Sequence, residues 1–311
     1  MRVRHVRGAA ACGICHSDSL AVHPHEPGEP AVVPGHGLAG RIDAVGEGVT
    51  RWSLGDRVGV GFLGGHCAVC DQCRRGNFTS CTDQPMTGVT IDGGYAEYAY
   101  ARQSALVAIP DGLSFEEAAP LLCAGFTTYN GLVKAPVRPD ALVAVQGIGG
   151  LGHLGVQYAR RMGARVVAVA RGTDKAELAR RLGAHHYIDS VAADVGAQLQ
   201  NLGGADLIVA TAASGASMTR LIPGLAKPGT LMVLGASHEP IEIPPLALIM
   251  GQARVLGLLT GSAIENEDNL RFTADQGISA MIEQVPFTDA AAAYDRMMSG
   301  AARFRMVLTM S

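Results

Sequence analysis

Two patterns of apolar and polar positions divide the chain. Up to about residue 120, short apolar runs (AVVPGHG, GRIDAVG, DRVGVGF) sit between turns marked by Gly and Pro. This predicts a β-rich region of short strands. From Phe115 to Val133 the spacing becomes helical and the residues mostly Ala and Leu, so one or two connecting helices are expected. From Ala141 the strand-like runs LVAVQ, RVVAVA, HHYID, DLIVATA and TLMVLGA alternate with amphipathic stretches such as HLGVQYARRMGA and DKAELARRLGA. Strand–helix alternation of this kind predicts a parallel sheet with helices on both faces. After about Ile264 come a helical stretch, DAAAAYDRMMSG, and a last strand, RFRMVLTM.

Composition narrows the class. A length of 311 residues suggests two domains, and 48% hydrophobic against 17% charged residues indicates a well-packed globule. The net charge of −3 and the lack of a basic run argue against a nucleic-acid partner. The opening MRVRHVRGAAACG has no apolar run of signal-peptide length, and no apolar stretch suits a membrane helix. A cytoplasmic location is expected. The seven cysteines then read as metal ligands or reactive groups rather than disulfides.

Three clusters carry chemistry. Cys67, Cys70, Cys73 and Cys81 follow a C-x2-C-x2-C-x7-C spacing, which lets four thiolates wrap one tetrahedral zinc. A site with four cysteine ligands has no open position, so its role is structural; a nucleic-acid zinc ribbon would need a basic face. His66 reads as a bystander. Cys15, His36 and Cys123 are dispersed, and spacing alone does not bring them together. Two cysteines with one histidine do form a known catalytic zinc set with a fourth position left for substrate. Gly147-Ile148-Gly149-Gly150-Leu151-Gly152 matches G-x-G-x-x-G between a strand-like and a helical run, the context of a dinucleotide loop. The acidic residue expected after the second strand is missing. Arg171 stands there instead, with Lys175 beyond it, which favours NADP(H) over NAD(H). Asp174 is expected to cap the following helix.

Together CGICHSD, PGH, the four-cysteine lobe, APLLCAG, GIGGLGH and RFRMVLT resemble the zinc-containing medium-chain alcohol dehydrogenases, in that family's order and over nearly the whole chain. The microbial alcohol and plant cinnamyl-alcohol branches are most similar. The resemblance implies an α/β protein with a Rossmann doubly wound parallel sheet and a GroES-like β-barrel catalytic domain. The expected limits are 1–122 for the catalytic domain (zinc lobe 67–81), 123–262 for the dinucleotide domain, and 263–311 for a segment returning to the catalytic domain. It implies two zinc ions per chain: a catalytic one on Cys15, His36 and Cys123, and a structural one on the four-cysteine lobe. Ser17 is implied as the hydroxyl that passes on the alcohol proton, Asp18 as the carboxylate orienting His36, and Arg305 as a cofactor-phosphate contact beside Gly147, Gly149 and Gly152. Cys12 matches no ligand position. The implied reaction moves a hydride between a nicotinamide cofactor and an alcohol or aldehyde, in a homodimer or homotetramer.

Three departures qualify the resemblance. Gly37 stands where the family usually has Glu, a change expected to slow turnover or loosen the metal. Leu20 stands where many members end a proton relay in His, so the proton is expected to leave by another route such as water; His16, His23 and His25 are nearby, and each reads first as a solvated loop histidine. Only eleven residues precede Cys12, fewer than in the family, so an open barrel edge is expected. The alternatives are a divergent C=C or C=N reductase, and a zinc- and dinucleotide-binding protein with impaired catalysis.

Overall fold

A computed structural model describes residues 3–22 and 31–310. Residues 1–126 and 260–311 make one compact unit, and residues 127–259 a second. These limits place residues 123–126 and 260–262 in the first unit, a few residues from the expected boundaries. The reason is packing: Leu121 and Leu122 are wholly buried, and amides at Asn269 and Asn266 donate to their carbonyls.

The first unit is built on a mainly antiparallel sheet. Its strands are β1 (Val3–Gly13), β2 (Leu38–Ile42), β3 (Arg57–Val60), β4 (Tyr98–Ala101) and β5 (Leu106–Ala108). The second unit supplies β6 (Leu142–Gln146), β7 (Arg165–Ala170), β8 (His186–Asp189), β9 (Ala205–Ala210), β10 (Leu225–Val233) and β11 (Arg254–Gly257). The chain then returns to the first sheet as β12 (Ile282–Pro286) and β13 (Arg305–Thr309). The order in the first sheet is β12-β13-β1-β2-β3-β5, with β4 also on β1. Among the described residues β1 is paired on both sides, while β4 pairs only with β1 and β5 only with β3. β2 pairs along one side, and β4 and β13 share the other. Residues 31–37, expected as a strand, form none. Pro34 lacks an N–H donor, and Gly35 and Gly37 take φ of +98° and +84°, outside the strand region.

The linking helices break at the turn that carries Cys123. Ser114 and Glu117 cap the helix Phe115–Pro120 reciprocally. A π-turn over Leu121–Gly125 follows, and the helix resumes over Phe126–Lys134. Proline has no N–H to continue the ladder, which accounts for the break at this point.

In the second unit all six strands run parallel in the order β11-β10-β9-β6-β7-β8. Strand order reverses between β6 and β9, and ligands bind at such a switch point in open α/β sheets. β6 is buried at every position, because helices cover both faces of a parallel sheet. The helix after β7 begins at Ala176, with Lys175 at the cap position and no side-chain cap. Asp174 is thus not the cap, since the Ala176 N–H is taken by Thr173 O. Among the described residues no helix is long and apolar enough to cross a membrane.

Candidate active site and metal centres

Cys15 opens a 3-10 turn over His16–Asp18 just beyond β1. The turn folds Asp18 back into the protein, wholly buried. Its Oδ2 accepts from the Cys15 N–H at 2.8 Å and from the Tyr95 hydroxyl at 2.9 Å. Its Oδ1 lies 2.9 Å from His36 Nδ1. A buried carboxylate needs such partners, and its Oδ1 faces the Nδ1 edge of the imidazole. His36 Nε2 is buried with no hydrogen-bonding partner. The ligand atoms of Cys15, His36 and Cys123 all lie within 4.8 Å of one another. Cys15 and Cys123 sulfurs are 3.9 Å apart. Zinc–sulfur bonds of about 2.3 Å in a tetrahedron give a sulfur–sulfur edge of about 3.8 Å. Three donors converging on one point, one of them an orphaned buried nitrogen, fit a catalytic zinc.

Electrostatics agree. Burial disfavours the His36 imidazolium, yet Cys15 and Asp18 outweigh it and carry the group up to about 10. A hydrogen bond from Cys123 holds the Cys15 thiol well below its usual range, with His36 and Arg305 assisting. Metal binding must displace the imidazole proton, so affinity falls as pH falls. Ser17 is half-buried on the same turn, and Leu20 and His16 are exposed. His23 and His25 lie outside the described residues. Gly37 has φ of +84°, and a Cβ there would stand 2.8 Å from Ala119 O. This backbone has no room for the glutamate of the family pattern.

Cys67, Cys70, Cys73 and Cys81 also bring four sulfurs within 4.8 Å. The pairs Cys67–Cys73 and Cys70–Cys81 are each 4.0 Å apart, too long for disulfides and close to a zinc tetrahedron's edge. The loop turns through Gly76 at φ +79°, with open space around it. N–H groups of Val69 and Cys70 lower Cys67, and those of Cys73 and Thr82 hold Cys70 down to about 5. Burial, then Cys70 and Cys81, push Cys73 up to about 12. Four sulfurs this close ionise together only around a cation. His66 stacks on Phe78 at 4.3 Å and stays outside the cluster. Cys12 is buried in the apolar core with Leu38 and Trp52.

In the second unit the glycine turn joins β6 to the helix Gly152–Arg161. Gly147 takes φ of +89°, and a Cβ on Gly152 would stand 1.6 Å from Gly147 O. Only glycine allows this approach, and a helix N-terminus of this kind can bind an anion. A cavity of about 1130 Å³ opens over the turn, lined by Gly149, Gly150, Leu151 and Thr211 among others. Its cations are Arg171, Lys175 and Arg220, and among the described residues no carboxylate lines it. Lys175 Nζ donates to Ile148 O at 2.9 Å. The Arg171–Gly172 corner is braced by the Gly172 N–H to Asp189 and by the Tyr187 hydroxyl to Gly172 O. Arg305 is buried on β13, in the first unit, near enough to Cys15 and Cys123 to favour their thiolates.

Comparison with known proteins gives the same picture. Residues 7–111 match the model of the alcohol dehydrogenase GroES-like domain, and residues 150–275 that of the zinc-binding dehydrogenases. The alcohol dehydrogenase patD of Penicillium expansum is 43% identical over 300 residues, covering 96% of this chain and 88% of its own. A cinnamyl alcohol dehydrogenase structure (SbCAD4) from Sorghum bicolor superposes with a TM-score of 0.87 at 32% identity, covering 98% of this chain and 91% of that one. The Helicobacter pylori CAD complexed with NADP(H) gives 0.85 at 27% identity, covering 99% of both chains. The chain belongs to the zinc-containing medium-chain alcohol dehydrogenases. It is an alcohol oxidoreductase that uses zinc and a nicotinamide cofactor, with a parallel dinucleotide sheet and a GroES-like domain.

Sequence reasoning missed Tyr95, Thr211 and Gln146. Thr211 Oγ1 donates to Gln146 O or Gly147 O, at 2.8 and 2.9 Å. Gln146 in turn holds Ala212 N–H and Ser217. Gln146 and Thr211 close adjacent strands at the switch point, a position readable from strand order. Tyr95 offered no such signal.

Proposed function

We propose an NADP(H)-preferring alcohol dehydrogenase, or in reverse an aldehyde reductase, with two zinc ions per chain. The convergence of Cys15, His36 and Cys123 carries this reading. Bound there, zinc polarises the substrate oxygen and makes an alcohol easier to deprotonate. The chain does the rest. Cys15, His36 and Cys123 would hold the ion. Asp18 fixes the ring of His36, and Tyr95 fixes Asp18. Ser17 carries the hydroxyl assigned to take the alcohol proton. The Gly147–Gly152 turn binds the pyrophosphate, and Cys67, Cys70, Cys73 and Cys81 hold the structural ion. Arg305 is the proposed phosphate contact of the cofactor.

Three cations without a carboxylate support the choice of NADP(H), because nothing in the pocket lining repels a 2′-phosphate. A charge-assisted bond contributes about 1.5–3 kcal/mol. R171A is therefore expected to raise the KM for NADPH by roughly 10-fold or more, leaving that for NADH almost unchanged. Steady-state assays with both cofactors and a short aldehyde panel, before and after chelation, test this. Equal KM changes would sink the role of Arg171, and chelation without loss of turnover would sink the zinc chemistry.

The thiols, none of them in a disulfide, support a reducing, cytoplasmic setting. A homodimer or homotetramer is the proposed assembly. β11 pairs only with β10 among the described residues, and Leu246, Ile249 and Met250 on the neighbouring helix Pro245–Gly251 are each about two-thirds exposed. An open edge beside an apolar patch suits a second copy. Sedimentation is expected to show a dimer or larger, and a monomer at micromolar concentration would contradict it.

A further inference from the structure

Cys123 is carried by a locally widened stretch of helix. In the turn Leu121–Gly125 the Phe126 N–H reaches back five residues to Leu121 O. Such π-turns aim carbonyls away from the regular ladder. Two side-chain amides on the helix Ala263–Asp275 meet the carbonyls immediately before Cys123. Asn266 Nδ2 donates to Leu122 O at 3.0 Å, and Asn269 Nδ2 to Leu121 O at 3.1 Å. Asn269 Nδ2 also lies 3.1 Å from Asn266 Oδ1, which ties the two amides together. Spaced three residues apart, they share one helix face, and they are 2% and 0% exposed. On the other side Gly61 lets the turn come close. A Cβ there would stand 2.8 Å from Leu122 O and 3.5 Å from Asn266 Nδ2.

Leucines alone would bury this turn without fixing its rotation, since apolar contacts are non-directional. Hydrogen bonds to two successive carbonyls do fix it, and with it the direction of the next side chain. We propose that Asn266 and Asn269 are positioning residues for Cys123, gripping the peptide carbonyls before it so that its sulfur meets that of Cys15. The inference rests on the reading of Cys15, His36 and Cys123 as a zinc site.

The test is chelator-driven zinc release from the full-length protein, followed with a colorimetric dye. The four-cysteine zinc serves as internal reference. Its phase is identified as the one missing in C70S. Outer partners of metal ligands typically contribute about 10–100-fold to affinity. N266A, N269A and the double variant are expected to release the other zinc about 10–100-fold faster, with the reference phase unchanged. G61A, which keeps both amides but displaces Leu122 O, is expected to act in the same direction. It and N266A carry the test if the double variant does not fold. Cobalt substitution adds a second readout, because weaker thiolate-to-cobalt absorption from this site reports its bonds to Cys15 and Cys123 directly. Two zincs in the wild type with unchanged release and cobalt spectra in every variant would overturn the positioning role and leave the zinc site standing. A wild type that holds only the reference zinc would overturn both.

Discussion

C123S is expected to lower alcohol oxidation by about 1000-fold or more, since the Lewis-acid contribution is several kcal/mol and each 1.36 kcal/mol is tenfold. The ligand atoms of Cys15, His36 and Cys123 converge in a buried site, and a neutral serine hydroxyl is a poor substitute for a thiolate. The turn that carries position 123 is fixed by buried hydrogen bonds, so the backbone cannot easily bring up a replacement. Cofactor affinity is expected to stay within a few-fold, because the glycine turn belongs to the other compact unit. Steady-state kinetics with NADPH fluorescence titration check both halves. Near-normal kcat/KM would exclude the three-ligand site as the seat of the reaction.

The second large effect is on stability. C70S is expected to release the structural zinc and lower the melting temperature by roughly 10 °C, at about 2–4 °C per kcal/mol for a protein unit of this size. The lobe around residues 67–81 has one four-residue helix, one 3-10 turn and little apolar filling, with Val69 76% exposed. Its order depends on the four sulfurs and their ion, as in small zinc domains whose fold is coupled to metal. Calorimetry with parallel metal analysis measures this. A melting temperature unchanged despite the lost zinc would show that the lobe orders itself by other means.

Much of this architecture was legible beforehand. The apolar runs of β6, β7, β9 and β10 and the glycines after β6 are local signals, because strand burial and a tight turn are set within a few residues. The four-cysteine lobe is local too, its ligands spanning fifteen positions. The trio of Cys15, His36 and Cys123 is not local. Its convergence depends on β1, the loop before β2 and a π-turn, and spacing has no access to that. The same limit hid Tyr95, Asn266 and Asn269, whose roles arise from contacts across 77 to 148 positions. The run AVVPGHG misled for a local reason, since its glycines serve turns and a close approach rather than a strand. At Gly37 the family pattern suggested a missing carboxylate, and the structure shows a backbone with no space for one.

The most direct test of the central claim is zinc content per chain, by elemental analysis, in the wild type and in C123S prepared alike. Two zincs falling to one is the result this account predicts. One zinc in both would contradict it, placing the only ion in the four-cysteine lobe.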